Sequence, residues 1–339
     1  MTGTEHLPDG PDAMPSSTTP LPSVTDRTPL ILDGGMGREL HRMGAPFRQP
    51  EWSALSLMER PDLVQQAHEN FLKAGAHVIT ANSYAIVPFH IGEERFAARG
   101  EELARLSSHL GRQAIAAQAQ DGKPSLLAGS LPPTGGSYRP DLFTPQKAEA
   151  VLTPLIRGLA PSADLWLAET QSSIAELQTA HRLVQQNTGD ARPFWGSFTL
   201  DDSDPAALIH QHAPVRLRSG ELLEKAVEAA LQLTLEALLF NCSDPRIMET
   251  ALHTARKVLK THGGSTTLKL GVYANGFAHN HHDGEGEGAN ESITPLDGTL
   301  TPQRYGDFAQ HWLAAGADII GGCCGIGPEH VAALAARFS

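Results

Sequence analysis

The chain has 339 residues, of which 40% are hydrophobic, and its 26 Lys plus Arg against 38 Asp plus Glu give a formal net charge of -12. That balance lacks the positive footprint of a phosphate-backbone binder, and no apolar run approaches the roughly 20 residues of a bilayer-spanning helix, so neither nucleic acid nor a membrane is expected as a partner. Three cysteines cannot build a disulfide framework; with no basic and then apolar leader, a cytoplasmic location is expected, where they serve as ligands, catalysts or core fillers.

Residues 1–28 are rich in Pro, Ser, Thr and Asp with no apolar period, and read as a disordered tail ahead of one domain over residues 29–339. From there short apolar runs alternate with amphipathic stretches. Strand Pro29–Asp33 is followed by helix Asp62–Ala74, strand His77–Asn82 by helix Glu93–Ala119, and strand Ser125–Leu131 by helix Pro145–Leu159. Strand Asp164–Glu169 precedes helix Ser173–Gln186, strand Phe194–Leu200 precedes helix Glu221–Leu231, and strand Ala237–Cys242 precedes helix Pro245–Leu259. Strand Leu268–Asn275 leads into a Gly-, His- and acid-rich insertion at 277–300 and then helix Pro302–Ala315, and strand Asp318–Cys323 into helix Pro328–Phe338. Ala74-Gly75-Ala76 and Ala315-Gly316-Ala317 share one pattern, in which Gly closes a helix and a buried strand begins at once. Eight βα units in one domain predict an α/β fold of the (β/α)8 TIM-barrel type, and Asp33-Gly34-Gly35-Met36-Gly37 has the wrong spacing for a dinucleotide fingerprint.

In such a barrel the C-terminal strand ends build the site. Asp33 and Gly34 end the first strand, Asn82 to Tyr84 the second, Glu169 and Thr170 the fourth, Asn241 and Cys242 the sixth, Asn275 the seventh, and Cys323 and Cys324 the eighth. All three cysteines therefore fall at one mouth, a soft donor set for one zinc ion with a fourth position open. Adjacent cysteines share a metal only where the strand ends and the backbone turns, which Gly321, Gly322 and Gly325 permit. Asp33, followed by glycines, reads as a ligand-facing acid or as a helix N-cap. Glu169 leaves the core run Leu165–Ala168 and needs a cationic partner such as an ammonium group or a structural ion pair. The run His279 to Asp283 reads as part of a solvated insertion rather than a second metal site, and Asp201, Asp202 and Asp204 as a turn with helix capping.

Asp33-Gly34-Gly35-Met36-Gly37, Thr80–Tyr84, Glu169-Thr170, Asn241-Cys242-Ser243, Tyr273-Ala274-Asn275 and Gly321-Gly322-Cys323-Cys324-Gly325 together resemble the homocysteine S-methyltransferase family, in order from about Leu30 to Phe338. The resemblance implies one zinc per chain on Cys242, Cys323 and Cys324, homocysteine and a small methyl donor as partners, and a monomer or small homo-oligomer. It also implies that Asp33 and Glu169 hold the substrate ammonium and that amides at Gly34 and Gly35 hold its carboxylate. Further substrate positions follow at Thr80, Asn241 and Asn275, with Trp52 and Tyr84 against substrate or donor. The chain departs from the family where Ile326 and Gly327 follow Gly325 in place of two threonines.

Zinc on three thiolates carries a net charge of minus one and deprotonates a bound thiol outright, so the substrate sulfur keeps its electron density for in-line attack on a positively charged methyl donor. Both charges diminish in the transition state, which a dry barrel mouth favours, and no general base is required. A sulfonium donor, S-methylmethionine or S-adenosylmethionine, is expected, because a thioether leaves more readily than an amine. Betaine would need an aromatic cage, and aromatics are only 6% of the chain, which ends at Ser339 without the extension of the betaine enzymes. The rival readings keep the zinc but use another thiol or selenol, or betaine, or make the metal structural in a non-catalytic binding barrel.

Overall fold

The computed structural model describes residues 28–118, 124–189, 191–262, 267–277 and 296–339. The expected tail, residues 1–27 of it, and the His279 to Asp283 run lie outside the described residues. Eight parallel strands form one sheet: β1 (Leu30–Ile31), β2 (Val78–Thr80), β3 (Leu126–Leu131), β4 (Leu165–Gln171), β5 (Phe194–Phe198), β6 (Ala237–Asn241), β7 (Lys269–Ala274) and β8 (Ile319–Gly322). Their order is β1-β8-β7-β6-β5-β4-β3-β2, and a parallel bridge between Leu32 and Val78 joins the two ends, so the sheet closes on itself. The chain is a TIM-barrel α/β protein, as its sequence rhythm predicts.

Period-two alternation sorts each strand. Leu30, Leu32, Val78, Leu126, Ala128, Leu165, Leu167, Trp195, Ala237, Leu239, Tyr273 and Ile319 pack together as one buried cluster inside the barrel. Their neighbours Ile31, Ile79, Leu127, Trp166, Leu238, Phe240, Val272 and Ile320 belong to a second cluster that includes the helices. Burial on both faces explains why the strands read as continuous apolar runs.

The main outer helices are α3 (Pro61–Lys73), α5 (Glu93–Gln118), α6 (Pro145–Leu159), α7 (Ile174–Thr188), α9 (Leu223–Gln232), α10 (Met248–Thr261), α11 (Pro302–Ala314) and α12 (Pro328–Phe338). Ser173 starts α7 with a reciprocal capping box to Glu176, and Gly189 ends it with left-handed geometry. The repeated Ala-Gly-Ala pattern is one device used twice. Gly75 and Gly316 have φ of 102° and 103°, Gly75 N–H donates to Leu72 O and Ala76 N–H to Phe71 O, and the same pair recurs from Gly316 to Leu313 and from Ala317 to Trp312.

Four short helices go beyond the sequence reading: α1 (Met36–Arg42), α2 (Ser53–Glu59), α4 (Pro88–Ile91) and α8 (Pro205–His210). Each has at most seven residues, too few turns for a periodic apolar stripe to stand out. They lie in the loops that follow β1, β2 and β5, the face that carries the site. Among the described residues no helix is long and apolar enough to cross a membrane.

Candidate metal and amino-acid site

One cavity at the barrel mouth is lined by Asp33, Gly34, Gly35, Trp52, Thr80, Tyr84, Glu169 and all three cysteines, so most of the expected residues converge. Strand β6 ends at Asn241 and β8 at Gly322, so Cys242, Cys323 and Cys324 stand just past strand ends, where the backbone is free to turn. Cys242 turns through a φ of 47° and its N–H donates to Tyr273 O; Cys323 N–H donates to Ala274 O, and Gly276 N–H to Cys324 O. Gly325 adopts a φ of 84°, and a Cβ on Gly322 would lie 2.2 Å from Ile326 Cγ2. This compact turn brings the three sulfurs within 4.8 Å of one another. The sequence reading has all three as thiolates on one zinc ion, whereas here Cys242 and Cys323 are joined as a disulfide and Cys324 is outside it, with its Sγ 3.9 Å from Cys242 Sγ. The donor set itself fits a thiophilic metal once the pair is reduced, because three thiolates at this spacing need only small movements to surround one ion.

Asp33 is not an N-cap: Gly35 holds that position on α1, while the Asp33 carboxylate accepts Thr80 N–H at 2.7 Å and Thr80 Oγ1–H at 3.0 Å. Burial pushes the Asp33 carboxyl up to about 8, against the opposing Thr80 hydrogen bonds and with a contribution from nearby Glu169. Burial also raises Glu169 to about 7, although hydrogen bonds from Ser130 Oγ and Tyr273 OH favour its charge. Asp33 and Glu169 are thus two buried carboxyls at one mouth whose charged forms burial disfavours.

Three expectations change. Gly35 N–H already donates to Ile326 O at 2.9 Å, so it is not available to a substrate carboxylate. Both glycines also permit close packing, since a Cβ on Gly34 would lie 2.2 Å from Ile326 O and one on Gly35 2.7 Å from Cys323 O. Asn241 and Asn275 do not line the cavity. Asn241 is fully buried behind it: its Oδ1 accepts from Thr170 N–H and Ser197 Oγ, and its Nδ2 donates to Thr170 Oγ1 and faces Cys323 Sγ at 3.9 Å. Asn275 Oδ1 accepts from Phe277 N–H and shapes the next turn. Asp204 caps α8, as expected, but Asp202 is paired with Arg218 at 2.6 Å in a largely buried ion pair.

The low aromatic content misleads as well. Trp52, Tyr84, Tyr138, Tyr273 and Phe277 all line the cavity, so three of the chain's four tyrosines stand at this one mouth, and aromatic rings are groups that can meet a cation. Tyr84 OH pairs with Ser137 Oγ at 2.7 Å, and Arg218 sits 5.0 Å from the centroid of the Tyr138 ring. Four of the six non-glycine residues with positive φ among the described residues, Trp52, Tyr138, Thr170 and Cys242, line this cavity. Such backbone costs free energy that the packed barrel must outweigh. Ser137, Tyr138, Phe277 and Arg38 are lining residues that sequence reasoning missed.

A family model described as Homocysteine S-methyltransferase matches residues 30–338. The chain belongs to that family. A homocysteine S-methyltransferase from Escherichia coli (strain K12) is 30% identical, covering 95% of this chain and 99% of that protein. A selenocysteine methyltransferase from Astragalus bisulcatus is 25% identical over 89% of this chain and 90% of its own length. The crystal structure of the homocysteine methyltransferase MmuM from Escherichia coli in its metallated form has a TM-score of 0.68 at 28% identity, covering 91% of this chain and 96% of that chain. Its oxidised form has a TM-score of 0.70 at 29% identity over the same shares. The homocysteine S-methyltransferase family is thus represented here with its barrel and its cysteine triad in place.

Proposed function

We propose that this protein transfers a methyl group from a small methylsulfonium donor to the thiol of homocysteine, forming methionine, with zinc held by Cys242, Cys323 and Cys324. The observation that carries the reading is the meeting of three cysteine sulfurs and two buried carboxyls in one aromatic-walled cavity. When bound, zinc supplies a Lewis acid that keeps the acceptor sulfur deprotonated at neutral pH. Asp33 and Glu169 hold the acceptor ammonium, Thr80 fixes the Asp33 carboxylate, and Ser130 and Tyr273 fix Glu169. Trp52, Tyr84 and Tyr138 face the donor cation and exclude water, so that its charge is stabilised by π faces until the methyl group leaves. Asn241 positions the wall through Thr170 and Cys323 rather than touching substrate. The methyl group forms a bond to the acceptor sulfur as its bond to the donor sulfur breaks, and the donor departs as a neutral thioether.

A sulfonium is preferred over betaine for its leaving group, since the aromatic wall accommodates either cation. A reducing, cytoplasmic setting keeps the triad available for metal. The test incubates reduced, zinc-loaded protein and homocysteine with S-methylmethionine, S-adenosylmethionine and betaine separately, and measures methionine. Product with a sulfonium supports the reading, and product with betaine alone overturns the donor. A selenol acceptor is the second reading, favoured by the relative named for selenocysteine; selenocysteine in place of homocysteine tests it.

A further inference from the structure

The aromatic wall of the cavity has a support that stands outside the cavity. Tyr138 lines it from the loop between β3 and α6, where the backbone turns through a left-handed φ of 61° at Tyr138, two residues after Gly136 at 126°. A non-glycine residue in that region depends on its surroundings to hold it there. Arg218 is not among the lining residues, yet its guanidinium carbon stands over the Tyr138 ring, 5.0 Å from the centroid. The guanidinium thus meets the ring without itself facing a ligand.

Arg218 is placed from a different loop. Its backbone N–H donates to Thr199 O at 3.3 Å, and neighbouring Leu217 bridges Leu200 in an antiparallel pair, so it is fastened to the segment that continues β5. Its Nη2 donates to Asp202 Oδ1 at 2.6 Å, with the two side chains only 11% and 2% exposed. Asp202 Oδ2 in turn accepts the N–H of Asp244, two residues beyond Cys242, at 2.9 Å. One buried ion pair therefore joins three loops: the loop after β3 that carries Tyr138, the loop after β5, and the loop that begins at Cys242. The pairing also answers an electrostatic need. A guanidinium steadies an aromatic ring by attraction to its π face, but an unbalanced positive charge behind the ring would repel a second cation arriving on the cavity side. Asp202 offsets that charge, so the ring is held while the wall stays favourable to a cation.

We propose that Arg218 is a positioning residue for the methyl donor: clamped by Asp202, it holds the Tyr138 ring at the cavity wall and so sets the affinity for the donor cation and not for the acceptor. The inference rests on the sulfonium-donor reading of the site and adds to it a residue that touches no ligand.

The experiment measures binding of S-methylmethionine and S-adenosylmethionine to reduced, zinc-loaded full-length protein by calorimetry with no acceptor present, and separately the KM values for donor and homocysteine. Arg218→Met should weaken sulfonium binding and raise the donor KM by about 3- to 30-fold, the range of a cation–ring contact, with the homocysteine KM changed by less than about twofold. Arg218→Lys keeps a cation for Asp202 and the ring, and should recover part of the loss. In a Tyr138→Leu background, Arg218→Met should cost less than about a further twofold, because the ring through which Arg218 acts is gone. Removing Arg218 takes its charge away from buried Asp202 and risks the fold, so the combined Asp202→Asn and Arg218→Met variant is measured too. It should show the same loss of donor with the circular dichroism spectrum retained. Additive losses in the Tyr138→Leu background, equal weakening of donor and homocysteine, or unaltered donor binding in Arg218→Met would overturn the proposal. Coupled loss of sulfonium binding with no methionine formed would support Arg218 and sink methyl transfer separately, and an unaltered protein that neither binds nor consumes either sulfonium would overturn both.

Discussion

Asp33→Asn tests the electrostatics of the site directly. The Asp33 side chain is buried, and desolvation raises its carboxyl from 3.8 to about 8. Between those two values the folded chain binds a proton that the unfolded chain has released, so stability falls as pH rises. The contribution is fully present below pH 3.8 and is gone once pH passes about 8. At about 1.4 kcal/mol for each tenfold change in proton affinity, the Asp33 rise corresponds to about 6 kcal/mol, and the Glu169 rise from 4.5 to about 7 adds about 3 kcal/mol over an overlapping window. Metal-free, reduced and ligand-free protein should therefore lose several kcal/mol between pH 5 and pH 8 in urea unfolding followed by tryptophan fluorescence. Asn at position 33 still accepts Thr80 N–H and donates to Thr80 Oγ1, the pattern of the protonated acid. The variant should consequently show less than half of the pH dependence and overtake the unaltered protein near pH 8. Cysteine ionisation is common to both proteins and cancels in the difference. In the unaltered protein, homocysteine binding at pH 6.5 should release protons, because an ammonium group favours the ionised carboxylates; calorimetry in buffers of different ionisation enthalpy measures that release. Equal pH slopes in the two proteins would show that Asp33 ionises without cost and would refute the argument.

Reduced protein should bind about one zinc per chain by elemental analysis, and Cys242→Ala, Cys323→Ala and Cys324→Ala should each bring that figure close to zero with the circular dichroism spectrum retained. Glu169→Gln should raise the homocysteine KM by about tenfold or more, the loss of a charge-assisted contact, while zinc content stays unchanged. Gly34→Ala would place a methyl group 2.2 Å from Ile326 O; it should lower both the melting temperature and zinc affinity in competition with a chromophoric chelator, since the turn bearing Cys323 and Cys324 must shift. Asn241→Ala leaves Thr170 N–H and the Ser197 hydroxyl without their acceptor, a loss of about 2–4 kcal/mol in urea unfolding, and an unchanged midpoint would deny it a structural role.

Much of this was legible in the residues because the local signals agree. Gly75 and Gly316 sit in matching junctions and close their helices identically, and the cysteines fall at strand ends where a barrel keeps its chemistry. Glu169 stands out as an acid at the end of an apolar strand. What stayed hidden depends on contacts between distant parts of the chain. Gly35 looks like a free amide until the turn around Ile326, nearly the whole chain away, closes on it. Tyr273 stands in the sequence only as part of the Tyr273-Ala274-Asn275 motif, and only the closed barrel shows that its hydroxyl reaches Glu169. Asn241 carries the right signal beside Cys242, but its role depends on Thr170 and Ser197 in neighbouring strands. Composition failed for the aromatics because an average over the chain cannot report that they gather at one mouth.

The backbone of Trp52, Tyr138, Thr170 and Cys242 bears on how this protein can be altered. Left-handed geometry at a non-glycine residue costs about 1–3 kcal/mol, so a search for thermostable variants guided by unfolding alone will be drawn to these positions, where glycine relieves the cost. Each such gain would remove an indole, a phenol, a hydroxyl or a sulfur from the wall that meets the ligands. On the proposed reading of the cavity, stability and turnover are coupled through four residues, and robust variants that keep their activity should carry their changes on the outer helices instead.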